Sequence, residues 1–233
     1  QIGVGAGSNG RFIWDGGLLD IDRIRVGVGG SGTFVQDIGW GNHWVLAPHQ
    51  NLVIGEQAGS HGVFEQLSGS VDAYASQIVV GEAGQGMYRQ LANHHIANET
   101  VIGHLAGSEG TYEMGAWAVS HSSERTVVGD MGTGNYIHNA GQHYTNELIV
   151  GRGAGATGDY LLNAYDGVSA TTLVLGQEAG SQGTFTWING NLDIGRIVVG
   201  QAGTGRFVLE GWNNLVLDDY RELIIGELAG SDG

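Results

Sequence analysis

A short apolar segment ending in glycine recurs ten times along the 233 residues, and this repeat constrains the fold more than any other feature. The anchor glycines are Gly3, Gly27, Gly55, Gly81, Gly103, Gly129, Gly151, Gly176, Gly200 and Gly226. Their mean spacing is about 25 residues, within the range of solenoid repeats. A second glycine follows each anchor after five or seven residues: Gly10, Gly32, Gly62, Gly86, Gly110, Gly134, Gly158, Gly183, Gly205 and Gly233. Two residues beyond the second glycine stands an aromatic: Phe12, Phe34, Phe64, Tyr88, Tyr112, Tyr136, Tyr160, Phe185 and Phe207. Like side chains at so constant an offset are what a ladder of stacked strands requires.

The residues before each anchor complete the pattern. One position before it the column is Ile, Val or Leu throughout. Three positions before it runs Ile24, Leu52, Ile78, Thr100, Thr126, Leu148, Leu173, Ile197 and Leu223. A spacing of two places both columns on one strand face. A third short strand shows as Leu19 and Ile21, or Leu192 and Ile194. Glycine costs about 1 kcal/mol per helical site, and it is everywhere, so helices are disfavoured. A repeat of this length is too short for a propeller blade. The reading is an all-β chain: one parallel β-solenoid domain over residues 1–233, about 25 residues per coil and roughly nine coils, with the aromatic ladder inward.

Composition narrows the function. The 44 glycines lack a collagen period, and 41% of residues are apolar, so they read as turns between packed strands rather than disorder. The basic residues are nine arginines with no lysine, against 24 acids, for a formal net charge of −15. That balance offers no footprint for nucleic acid or an anionic membrane. The absence of lysine removes Schiff-base chemistry, and the absence of cysteine removes disulfides and thiolate metal sites. No apolar run approaches the ~18 residues of a membrane span, so no membrane insertion is expected. The start at Gln1 rather than Met reads as a processed, exported protein.

The run LVLGQEAGSQGTFTWINGNLDIGRIVVGQAGTGRF is similar to the passenger-associated repeats of bacterial autotransporters and related surface-exposed β-helix proteins. The resemblance covers nearly the whole chain. It implies a right-handed β-helix displayed outside the cell or on its surface. No membrane translocator barrel is present, which suits a mature repeat region or a self-assembling subunit with its own export route.

The candidate chemistry reduces to turns and loops. Gly5–Gly10 and Gly153–Gly158 match a dinucleotide fingerprint, but β-type segments follow rather than a helix. Asp159 stands alone where calcium-binding β-rolls repeat an aspartate. Glu56, Glu82 and Asp130, each just after an anchor, read as a solvated turn column. His94, His95, His121, His138 and His143 lie at different offsets from the ladder and read as loop histidines. Coil lengths vary only from 22 to 28, which leaves no insertion for a catalytic cleft. No catalytic, cofactor or metal site is therefore assigned, and the chain is not read as an enzyme.

Two functions remain. The first is an extracellular structural protein that self-associates into a fibre, sheath or surface layer. Its argument is the column two before each anchor: Arg25, then Val53, Val79, Val101, Val127, Ile149, Val174, Val198 and Ile224. Alternation points this column outward. A solvated face would be polar, so the aliphatic stripe is expected to be covered by another copy. No polar cap is evident at Gln1-Ile2-Gly3 or Ile225-Gly226, so end-to-end contact is expected as well. The second function is an adhesin or glycan-binding module, using exposed Trp40, Trp44, Trp117 and Trp212 on surface glycans.

Overall fold

The computed structural model describes residues 1–233 except 18, 20, 22, 40, 41, 47, 116–118, 212, 214 and 217–220. The chain is an all-β, parallel β-solenoid of about 8 turns with about 24 residues per coil. The small departure from nine coils arises at the ends. There the first anchor segment contributes only an isolated bridge, Ile2 to Val26. Among the described residues there are seventeen strands and no helix.

Each coil has two main straight runs. The first carries the aromatic, as in Asn9–Trp14, Gln85–Gln90, Glu109–Met114 and Thr133–His138. The second ends at the anchor glycine, as in His94–Ile102, Ser120–Val128 and Gln142–Val150. The short third strand of the sequence reading is the first half of this second run, set off by a bend. The ladder skips at that bend, so that Ser123 pairs Thr145 and Arg125 pairs Glu147 with Glu124 and Asn146 between them. In two coils both runs fuse into the long strands Thr157–Leu175 and Gln182–Val199. Ile194 of the third-strand pattern is buried and Leu192 packs against the core, whereas Ile21 is exposed.

The paired glycines mark the crossing of two backbones. Gly103 has φ +70, and a Cβ there would lie 2.2 Å from the Thr133 carbonyl oxygen of the next coil. A Cβ on Gly110 would lie 2.1 Å from the Val80 carbonyl oxygen and 2.5 Å from the Gly103 nitrogen. The first position needs a left-handed turn and the second needs empty space. No other residue meets either demand, which is why the pair recurs in every coil.

The aromatic ladder points inward as expected. Phe34, Phe64, Tyr88, Tyr112, Tyr136, Tyr160 and Phe185 are buried, successive rings from Phe34 to Phe207 stack with centroids 4.5–5.5 Å apart, and Phe12 lies tilted on Phe34 at 5.3 Å. That spacing is the strand separation itself. Phe12 is 40% exposed because no coil lies over it, and Phe207 is half-buried at the other end.

A second inward column lies two residues beyond the ladder: Gln36, Gln66, Gln90, Met114, His138, Leu162 and Trp187. Several of these side chains satisfy the carbonyls of the corner that follows. Gln66 Nε2 donates to the Gly69 carbonyl at 2.6 Å, Gln90 Nε2 to Asn93 at 3.0 Å, and Trp187 Nε1 to Gly190 at 3.0 Å. Buried corner carbonyls without such donors would each cost about 1–3 kcal/mol.

Candidate functional site: a buried imidazole seam and a covered outer stripe

The aliphatic column predicted to be a self-association surface is not free surface. Val53, Val79, Val101, Val127, Ile149, Val174 and Val198 are at most 6% exposed in the single chain, and Ile224 and Arg25 are half-buried. The column does point away from the core cluster, as alternation requires. Its cover comes from polar columns on both sides. On one side stand Gln77, Glu99, Arg125 and Glu147; on the other, Glu82, His104, Asp130 and Arg152. Ion pairs reach across or along the stripe: Arg25 to Glu56 at 2.9 Å, Arg152 to Glu99 at 3.9 Å, and Arg196 to Glu227. Arginine and glutamate stems can cover apolar surface in this way. The exposure on which the lateral interface rested is therefore corrected: the chain covers the stripe itself.

The arginines are largely spent on such ladders. Arg89 sits between Glu65 at 2.9 Å and Glu113 at 3.1 Å, and Arg125 between Glu147 at 2.7 Å and Glu99 at 3.6 Å. Asp130 is held by His104 and Arg152, each at 2.6 Å, and Glu56 by Arg25. Burial and the neighbouring Glu56 raise the Glu82 carboxyl above its usual range. Among the described residues, no group of three His, Asp or Glu side chains is arranged to hold a metal ion. Both dinucleotide-like glycine loops run into strands, Asn9–Trp14 and Thr157–Leu175. Trp44, proposed as an exposed glycan platform, is 2% exposed and packs on Phe34 and Phe64. Trp40, Trp117 and Trp212 lie outside the described residues.

The histidines correct the sequence reading most. His95, His121 and His143 are not loop residues. They pair in register on adjacent strands, are fully buried, and stack with centroids 4.8 and 4.6 Å apart. Counted forward from the aromatic, their offsets differ because the corner between varies in length. Counted back from the next anchor, each stands eight residues before it. Val168 and Leu192 hold the same place in later coils. Trp44 and Val71 hold it in earlier ones. The column is polar only where the ladder is tyrosine.

The hydrogen bonds explain that match. His138 Nε2 lies 2.8 Å from the Gly141 carbonyl, which can only accept, so the neutral ring carries its proton there. Its Nδ1 therefore accepts from the Tyr160 hydroxyl at 2.9 Å. Tyr160 has then given its only proton, so His143 Nδ1–H donates to it at 3.0 Å. His143 Nε2 accepts from Thr126 Oγ1 at 3.0 Å. One coil earlier the order repeats: Thr100 meets His121 Nε2 at 2.9 Å, and His121 Nδ1 meets Tyr136 Oη at 2.8 Å. At His95, Nδ1 meets Tyr112 Oη at 2.6 Å, and Tyr112 donates to Gln90 Oε1 at 2.8 Å. His95 Nε2 has no partner. The position that holds Thr100 and Thr126 for the other two is Ile78 here.

The directed chain requires neutral rings, and burial enforces them. Desolvation pushes His95 down to about 3 and His138 down to about 4. It holds His121 and His143 well below the ordinary imidazole value, helped by the neighbouring histidines. Burial likewise holds the four tyrosines in the phenol form. The seam is thus a proton-ordered polar filling and presents no reactive group to solvent.

Two measurements follow from this geometry. Val101→Asp with Val127→Asp is expected to destabilise the single chain by several kcal/mol, since it buries two carboxylates on neighbouring strands. A wild-type unfolding midpoint by circular dichroism would contradict the covered stripe. The seam predicts acid sensitivity. An unfolded imidazole titrates near 6.5, so below that pH the unfolded chain binds up to four protons that the folded chain refuses. Stability is complete above about pH 6.5 and falls as pH drops toward the folded values of about 3 and about 4. The slope is up to about 5 kcal/mol per pH unit for four groups. Asp166, near His138, and Asp130, which raises the His104 imidazole, oppose the trend. A urea midpoint that does not change between pH 7 and 5 would contradict a buried neutral seam.

No protein-family model, curated protein or solved structure matches the chain, so its functional reading stands on this geometry and on the repeat itself.

Proposed function

We propose that the chain is a structural β-solenoid element of an extracellular or cell-surface rod, extended by stacking coil on coil, and that it is not an enzyme. The aromatic column carries this reading. Every coil sets one ring at the same register as the last, so each coil is a template for the next. At both ends of the described stack that template is uncovered. Phe12 is 40% and Ile225 63% exposed. The strands Asn9–Trp14 and Glu222–Ile225 are hydrogen-bonded on one side only. Open strand edges with apolar faces take up further strands. Further coils of the same chain or a second copy would make the same contacts.

The extracellular placement rests on the resemblance of the repeats to autotransporter passenger repeats. The structural role is supported by the ion-pair ladders, which tie carboxylates and arginines of successive coils together along the axis. The growth direction proposed is end to end. The aliphatic stripe has no part in it, because the chain covers it.

Negative-stain micrographs and light scattering at moderate salt, which screens the net charge of −15, test the proposal. The expected particles have constant width and lengths in multiples of about 40 Å, the rise of about eight strands. Phe12→Lys with Ile225→Lys is expected to leave single rods. A wild type that remains monomeric at high concentration, or that grows in width, would overturn end-to-end stacking.

A further inference from the structure

One outer surface differs in kind from the ion-pair ladders. Along the bend between the two halves of the second run lies an open groove of about 450 Å³ that crosses several coils. Its floor is made of small residues at one register, Ala97, Ser123, Thr145 and Ala170. Small side chains at a bend leave a trough where larger ones would fill it. The same bend displaces the ladder hydrogen bonding in each coil, so the trough follows the rod axis.

The lining combines two chemistries. Tyr74 and Tyr144 are 63% and 50% exposed, although every ladder tyrosine is buried. They stand three strands apart, or roughly 14 Å along the axis. Between and beyond them the groove offers the hydroxyls of Ser122, Ser169 and Thr171, which make no side-chain hydrogen bond among the described residues. Asn146 donates to Glu124 at 3.1 Å, and Asp193 pairs with Arg221 at 2.7 Å, which fixes amide and carboxylate groups along the wall. Among the described residues no arginine or histidine lines the groove.

We propose that this groove binds a neutral, extended oligosaccharide laid along the rod axis. A tyrosine offers an apolar ring face beside a polar tip. A pyranose is matched to it, with an apolar C–H face to lie on the ring and hydroxyls at its edge for serine, threonine, amide and carboxylate. Binding sites on proteins are concave with a few converging polar groups, and this trough joins free hydroxyls to two exposed aromatic faces. The other occupants fit less well. Glu124, whose partner is the neutral Asn146 amide, repels uronates and sulfated chains, and Arg221 is already engaged by Asp193. An extended peptide would seek an open strand edge for its backbone, and the groove lies on a sheet face. The site is independent of end-to-end stacking, because it lies on the side of the rod.

Isothermal titration and array binding with cellohexaose, chitohexaose and mannohexaose, against polygalacturonate and heparin, test it. At least one neutral hexasaccharide is expected to bind. Tyr74→Ala with Tyr144→Ala is expected to weaken it at least tenfold with the strand circular dichroism unchanged. Should that variant fail to fold, Ser122→Trp fills the groove from a half-exposed position and carries the same expectation. No binding of any neutral probe at millimolar concentration, unchanged binding by the folded variants, or binding of the anionic polymers alone would overturn the proposal.

Discussion

Parallel stacking in register at strand spacing is the constraint from which the rest of this structure follows. It places each side chain directly on its counterpart in the next coil. A column must therefore be made of residues that tolerate their own kind at about 5 Å. Aromatic rings do so by stacking, and aliphatic residues by dispersion. Charged residues do so by alternating sign, as Glu65, Arg89 and Glu113 do. Glycine does so where backbones cross and nothing else fits.

The same constraint explains the polar interior. A tyrosine ladder sets a phenol hydroxyl in every coil where no water reaches it. Each hydroxyl needs a partner from a neighbouring column that is also in register. Histidine meets this need because a neutral ring can donate from Nδ1 to a tyrosine and accept at Nε2 from a threonine. The proton order at Tyr160 and His143 is fixed by the Gly141 carbonyl, and at Tyr136 and Tyr112 by their donation to Met114 Sδ and Gln90 Oε1. Beyond the three histidines the column reverts to Val168 and Leu192 on one side and to Val71 and Trp44 on the other, and Tyr88 donates instead to Gln66 Oε1 at 2.8 Å. The orphan Nε2 of His95 marks the boundary between the two regimes.

The fold was legible because its period is written twice, in glycine pairs and in aromatics. The histidine seam was equally regular but hidden, since its register is kept from the following anchor and not from the preceding ring. Val53 to Val198 were read correctly as outward and wrongly as bare. Strand alternation reports direction, whereas exposure depends on flanking columns such as Glu99 on the strand and Arg152 in a glycine turn, which pair across the stripe. The groove could not be read at all. Tyr74 stands in an irregular stretch between Ala73 and Gln77, where the partner strand spends a single residue, so no fixed spacing links it to Tyr144.

The register itself can be tested by cross-linking, because the chain has no cysteine of its own. Thr111 and Asn135 are half-buried, outward partners on adjacent strands. Their Cα atoms should lie about 4.8 Å apart, within disulfide reach. Thr111→Cys with Asn135→Cys is predicted to close a disulfide rapidly under mild oxidation. Thr111→Cys with Ile137→Cys, two residues out of register at about 8 Å, is predicted to remain reduced. Equal cross-linking of both pairs, or closure of the second alone, would contradict in-register stacking.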